Sequence, residues 1–169
     1  MGENDGVIDQ SFATGAVKSS ETGTKFGGNA GGLVCWNFVG GISNSYATGS
    51  VQGGKDSRDG GLVGANATAI SSSYSTGKVS APNKGFGSDV GGLIGLEYPA
   101  YSVVTSSYWD TTTSRTGKGV GQGNDSGVTG LTTQQFKASL PSGFDPTIWA
   151  ESPKINKGFP YLIANPPPQ

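Results

Sequence analysis

The chain has 169 residues, the size of one domain, and 30 of them are glycine, more than twice the roughly 7% of average usage. Charged residues make up 14%, 11 basic against 12 acidic, and there is no histidine; this removes the basic footprint of nucleic-acid and polybasic membrane binders, together with the commonest general base and a common zinc ligand. Glycine, serine, threonine and asparagine fill 75 positions, which without a three-residue glycine period leaves either disorder or short strands and tight turns.

The first thirty residues hold no basic stretch followed by an apolar run, and no segment approaches the ~18 apolar residues of a membrane span, so neither a targeting peptide nor membrane insertion is expected. Met1 to Gly6 runs straight into a repeat, and the segment reads as part of a longer polypeptide. Cys35 is the single cysteine, which excludes an intramolecular disulfide. Within Leu33-Val34-Cys35-Trp36 it reads as a small buried hydrophobe, the alternative being a reactive or intermolecular thiol.

One unit is written four times, beginning at Ile8, Ile42, Ile70 and Val104, with an aromatic at Phe12, Tyr46, Tyr74 and Tyr108, so that the unit lengths are 34, 28 and 34 residues. The first three units carry a second signature, Gly31-Gly32-Leu33-Val34, Gly60-Gly61-Leu62-Val63 and Gly91-Gly92-Leu93-Ile94. Matched aliphatics and aromatics at solenoid-like periods reject disorder and imply a stacked core. Each unit holds two short strand-like runs punctuated by glycine and nothing of helical period. The expected fold is all-β, a right-handed parallel β-helix or β-solenoid of about four rungs, with Ile8, Ile42, Ile70 and Val104 in one ladder, the four aromatics in a second and Leu33, Leu62 and Leu93 in a third. Tyr46 and Val51 lie on opposite parities, so a bend at Gly15, Gly49 and Gly77 is expected to turn both inward; the alternative is an exposed tyrosine ladder.

The connections carry the variation. Those before the Gly-Gly-Leu signature hold Glu21, Lys25, Lys55, Asp56, Arg58, Asp59, Lys84 and Asp89, and those after it hold Trp36, Phe38, Tyr98 and Tyr101. One edge is therefore charged and the other aromatic. After Tyr108-Trp109-Asp110 the signature does not return, and stacking is expected to end there. The division is 1–116 for the repeats and 117–169 for a glycine-rich connection and a C-terminal capping tail. In that tail Thr132 to Gln135 fits a capping box with Leu131 and Phe136 as a hydrophobic staple, which predicts a helix of about two turns before Pro141. The apolar remainder is expected to cover the open end of the stack.

Asn44-Ser45-Tyr46-Ala47-Thr48-Gly49-Ser50-Val51 followed by Gly60-Gly61-Leu62-Val63-Gly64-Ala65-Asn66 resembles the GLUG repeat of large bacterial surface proteins. Phe12, Ser75, Cys35 and Leu96 depart from that pattern, the last two standing in place of Gly64 and Asn66. Tyr108-Trp109-Asp110, Leu131 to Phe136, Trp149 and Gly158 to Leu162 look like the segment closing such arrays in filamentous-haemagglutinin-type adhesins. The resemblance implies a secreted or cell-surface segment, often of two-partner-secretion exoproteins, and GLUG repeats also occur beside the catalytic domain of immunoglobulin A proteases. It supplies no catalytic residues. The reading is a non-catalytic adhesin or stalk segment, with a spacer of a secreted protease or polysaccharide-active enzyme as the alternative.

Asp56, Asp59, Asn124 and Asp125 offer oxygens to calcium, yet Arg58 interrupts them and no acid repeats from rung to rung, so solvated loop charge is favoured and no metal or cofactor is expected. Asp9, Asp89, Glu97 and Asp110 occupy non-equivalent positions, which does not make the carboxylate pair of a glycosidase. Thr14, Thr48 and Thr76 form a threonine ladder of the kind ice-binding surfaces use, but Asp110 takes the fourth position and only one rank repeats, which argues against that use. Trp36, Phe38, Tyr98 and Tyr101 are the candidate ligand-binding residues, a stacking platform for a glycan or a surface receptor; packing against the flank or the tail is the other reading.

Overall fold

The computed structural model describes residues 1–19, 28–81 and 88–168; Glu21, Lys25 and Lys84 of the charged edge lie outside them. The chain winds into a parallel β-solenoid of about four turns. Each of the first three turns has five short strands rather than two: Val7–Asp9, Phe12–Ala13, Val17–Lys18, Asn29–Gly31 and Val34–Asn37 in the first, with equivalents directly beneath in the second and third. The sequence runs are divided at two kinds of corner. Gln10, Asn44, Ser72 and Ser106 each adopt a left-handed backbone, φ 45°, 43°, 45° and 44°, and the serine that follows returns a hydrogen bond to the preceding strand, as Ser45 Oγ does to Ser43 O at 2.7 Å. The second corner is the predicted glycine bend. A Cβ on Gly49 would lie 1.9 Å from Gly15 O, and one on Gly77 1.8 Å from Gly49 O, so neighbouring rungs approach too closely there for any side chain.

The three ladders form in register. Ile8, Ile42, Ile70 and Val104 pair successively, as do Phe12, Tyr46, Tyr74 and Tyr108, while Leu33 N and Leu62 N donate to Leu62 O and Leu93 O. Isoleucines, leucines and the valines beside them share one apolar cluster. Val51 and Val79 with Ala30 make a second, smaller one.

The tyrosines do not face inward. Successive residues of a strand point to opposite faces, and it is Ala47 that enters the interior cluster, so Tyr46 stands on the outside. The glycine bend turns the valine, not the aromatic. Yet the ladder is not exposed either: Tyr46 and Tyr74 are fully buried because the tail lies against them, contributing Phe136, Phe144, Trp149, Phe159 and Leu162. The tail therefore covers the flank rather than the open end. Its polar contacts run along the stack, Ser142 O accepting from Tyr108 OH at 2.7 Å and Trp149 Nε1 donating to Asn44 Oδ1 at 3.4 Å, with Asn165 Nδ2 reaching Gln10 O at 3.4 Å.

Stacking also continues past Asp110. Val120–Gln122 pairs with Ile94–Glu97, and Val128–Leu131 with Ser107–Asp110. Trp109 takes the place of Ala13, Ala47 and Ser75 in the last turn and lies over Gly92, Gly119 and Gly130, where a Cβ would meet the indole at 2.1, 2.5 and 2.8 Å. The indole fills the end of the coil. Thr132 caps the helix Thr133–Phe136 with both bonds of the capping box. That helix is one turn, not two, because Lys137 already acts as its C-cap. An antiparallel pair, Trp149–Ala150 with Tyr161–Leu162, completes the tail.

Candidate functional site

The aromatic edge begins where the strand Val34–Asn37 leaves the stack. Trp36 is 37% exposed, Phe38 51% and Tyr101 77%, and the Trp36 and Phe38 rings meet edge to face at 5.8 Å. Tyr98 is half-buried. Its amide donates to Asn66 O as that of Ala67 does to Asn37 O, so Tyr98 stands two rungs from Phe38, about 10 Å along the axis. The partner of Trp36 two rungs on is Leu96, through Ala65. The four candidates thus share an edge, with Ala65 and Ala67 separating Trp36 and Phe38 from Tyr98. Cys35, between Val34 and Trp36, is half-buried.

Beside them runs a polar ladder absent from the sequence reading. Asn4 Nδ2 donates to Asn37 Oδ1 at 2.8 Å, Asn37 Nδ2 to Asn66 Oδ1 at 2.7 Å and Asn66 Nδ2 to Glu97 Oε2 at 3.1 Å, and all four are at most 5% exposed. The counterpart of Asn66 is therefore Glu97, not Leu96, which pairs with Ala65. Burial raises the Glu97 carboxyl above its usual range, opposed by bonds from Ser102 and Asn66. The signal was present as an amide or acid four residues after each ladder leucine.

The acids considered for metal or catalysis are dispersed. Asp59 is fully buried in register with Ala30 and Val90. Ser57 Oγ donates to its Oδ2 at 2.6 Å, and Oδ1 has no partner among the described residues. Burial pushes its pKa up to about 6, with the Ser57 bond lowering it and the Asp89 charge adding to the rise. Asp110 is also buried and accepts from the Thr112 and Thr113 amides and from Thr133 Oγ1, tying the last turn to the helix. Asp9 accepts from Ser43 and Asn44 across the first rung step. Asp56 has a left-handed backbone, φ 53°, while Asn124 and Asp125 are exposed before the strand Val128–Leu131. Among the described residues no three acids or cysteines gather as metal ligands would.

The threonine rank forms one wall of a groove of about 660 Å³, lined by Thr14, Thr48, Thr76 and Thr113 on the solenoid and by Lys154, Asn156, Lys157, Phe159, Pro167 and Pro168 from the tail. Asn156, Lys157 and Gly158 are successively left-handed, φ 48°, 55° and 86°. They are held by Asn156 Nδ2, which donates to Tyr74 OH at 2.8 Å and to Pro160 O at 2.7 Å, while Tyr74 OH itself donates to Pro160 O at 2.5 Å. Residues 26–52 match the GLUG motif. A stretch of 65 residues is 42% identical to a protein of Evansella cellulosilytica provisionally named a Gly-rich membrane protein, covering 38% of this chain and 7% of that one. No solved structure matches the chain. No described helix is long and apolar enough to cross a membrane.

The lysine side of the groove was not legible in the sequence, because it depends on where the tail docks.

Proposed function

We propose that this chain is a non-catalytic segment of a longer bacterial surface protein of the filamentous-haemagglutinin type, acting as stalk and as a low-affinity recognition surface for a glycan or surface receptor. The observation that carries the reading is the division of labour in the rungs. The aliphatic and aromatic ladders are committed to packing, whereas exposed rings stand at the strand end Trp36 and in the variable turns at Phe38 and Tyr101, and variable turns are where specificity is placed at low structural cost. The GLUG match and the Gly-rich membrane protein relative support a bacterial cell-surface setting. The dispersal of Asp9, Asp89, Glu97 and Asp110 supports a non-catalytic role, since acid–base work needs convergent groups.

Glycan-array binding by the chain, lost in the Trp36→Ala/Tyr98→Ala variant with its melting temperature intact, is the expected result. Binding that survives the double substitution contradicts the recognition role of this edge. Turnover of pectin, alginate or peptide that disappears on substituting one acid overturns the non-catalytic reading.

A further inference from the structure

We propose that the groove between the threonine rank and the Lys154–Phe159 segment binds a linear acidic polysaccharide, a chain of uronate-type sugars lying along the solenoid axis. The groove shares no residue with the aromatic edge. Thr76 lines it at 8% exposure, and the hydroxyls of Thr14, Thr48 and Thr76 make no hydrogen bond among the described residues. Of the rank only Thr76 is buried, Thr48 being half-buried and Thr14 exposed, so these hydroxyls open onto the groove with water as their partner and are free to exchange it for a ligand's hydroxyls. The facing wall offers Lys154 and Lys157, both exposed, with no carboxylate among the lining residues.

The loop that presents Lys157 has three left-handed residues in succession, a run found nowhere else among the described residues. Non-glycine residues in that region cost on the order of 1–3 kcal/mol each, and such strain concentrates at ligand-binding sites. Its anchor is the buried Tyr74 hydroxyl, so the lysine wall is held in fixed register with the threonine wall. An anionic chain in this groove meets ammonium groups on one side and hydroxyl donors and acceptors on the other.

Spacing selects the polymer. The rungs repeat at ~4.8 Å, and the stacked rings of Phe12, Tyr46 and Tyr74 are 5.1 and 5.0 Å apart, a step comparable with one pyranose unit. An extended acidic peptide presents like side chains every second residue, about 6.6–6.8 Å, and falls out of step within two rungs. Single-stranded nucleic acid is held through aromatic rings on which its bases stack, and the one aromatic ring lining this groove, Phe159, is buried.

The test is titration of the full chain with an oligogalacturonate of defined length, beside neutral galactan, poly-L-glutamate and a single-stranded oligonucleotide. Oligogalacturonate is expected to bind, neutral galactan not. Lys154→Gln/Lys157→Gln and, separately, Thr48→Val/Thr76→Val are each expected to weaken binding at least tenfold. Thr48→Ser/Thr76→Ser keeps the hydroxyls and is expected to retain it, which separates recognition from any loss of folding in the valine pair. Trp36→Ala/Tyr98→Ala is expected to leave this affinity unchanged, so failure here and failure at the aromatic edge are distinguishable. Absence of oligogalacturonate binding, wild-type affinity in the lysine or valine pair, loss in the serine pair, or poly-L-glutamate or oligonucleotide binding as tightly overturns the proposal.

Discussion

Two tyrosines of one ladder occupy opposite energetic situations. Tyr46 OH is buried with no partner among the described residues, whereas Tyr74 OH both donates to Pro160 O and accepts from Asn156. Removing an unsatisfied hydroxyl is neutral or favourable, while removing the Tyr74 hydroxyl deletes two hydrogen bonds, worth about 0.5–1.5 kcal/mol each, even though Asn156 and Pro160 keep the bond between them. Tyr46→Phe is thus expected to hold or raise the melting temperature, and Tyr74→Phe to lower it, in parallel thermal scans. Asp59 has a signed pH dependence. Its folded-state pKa, about 6, lies above the ordinary aspartate value of 3.8, so the folded chain binds the proton more tightly. The favourable contribution is present at low pH and is lost as pH rises through about 4 to 6. Asp59→Ala removes the charge and matches Ala30 in its ladder, while the single proton of the Ser57 hydroxyl turns to Gly54 O, already within 2.9 Å. Denaturant melts should show the variant gaining stability relative to wild type between pH 5 and pH 8, by an amount on the order of 1 kcal/mol or more; a constant difference contradicts the buried-carboxyl account.

At the scale of elements, the buried amide ladder fixes rung register where the apolar ladders alone are tolerant of substitution. Asn66→Ala leaves Asn37 Nδ2 without its acceptor and Glu97 Oε2 without its donor, and a cost of about 2–4 kcal/mol in chemical denaturation is expected. Much of this architecture was legible beforehand. The three ladders followed from matched spacing, and the capping box from Thr132 and Gln135, since both depend on residues close in sequence or repeated by it. The five-strand turn was less so, because the left-handed corner is filled by Gln10, Asn44, Ser72 and Ser106, of which only asparagine is a common occupant. The asparagine ladder was obscured by its conversion to Glu97 in the third turn and by reading Leu96 as the register partner.

For the whole molecule, the expectation that the apolar tail covers the open end of the stack is wrong, since the tail packs on the tyrosine flank. Both a coil end and a flank present apolar surface, and only tertiary packing chooses. Trp109 closes the end and the tyrosine ladder lines the flank, so the tail stabilises the stack sideways, across several rungs at once. Deleting residues 132–169 is expected to expose Tyr46, Tyr74 and Tyr108 together and to produce dye-binding, self-associating material, a contiguous aromatic face being an aggregation surface; a monomeric truncation that melts cooperatively contradicts the clamp. The most direct test is the ring-proton nuclear Overhauser spectrum of the intact chain in solution. The structure places Trp149 against Tyr46 and Tyr74 at 5.9 and 5.8 Å between ring centroids, so cross-peaks from Trp149 to both tyrosines, together with Phe12 to Tyr46 and Tyr46 to Tyr74, are the predicted result. Trp149 cross-peaks to Trp109, Val120 and Val128 in place of the tyrosines would place the tail over the end of the coil and contradict the lateral clamp.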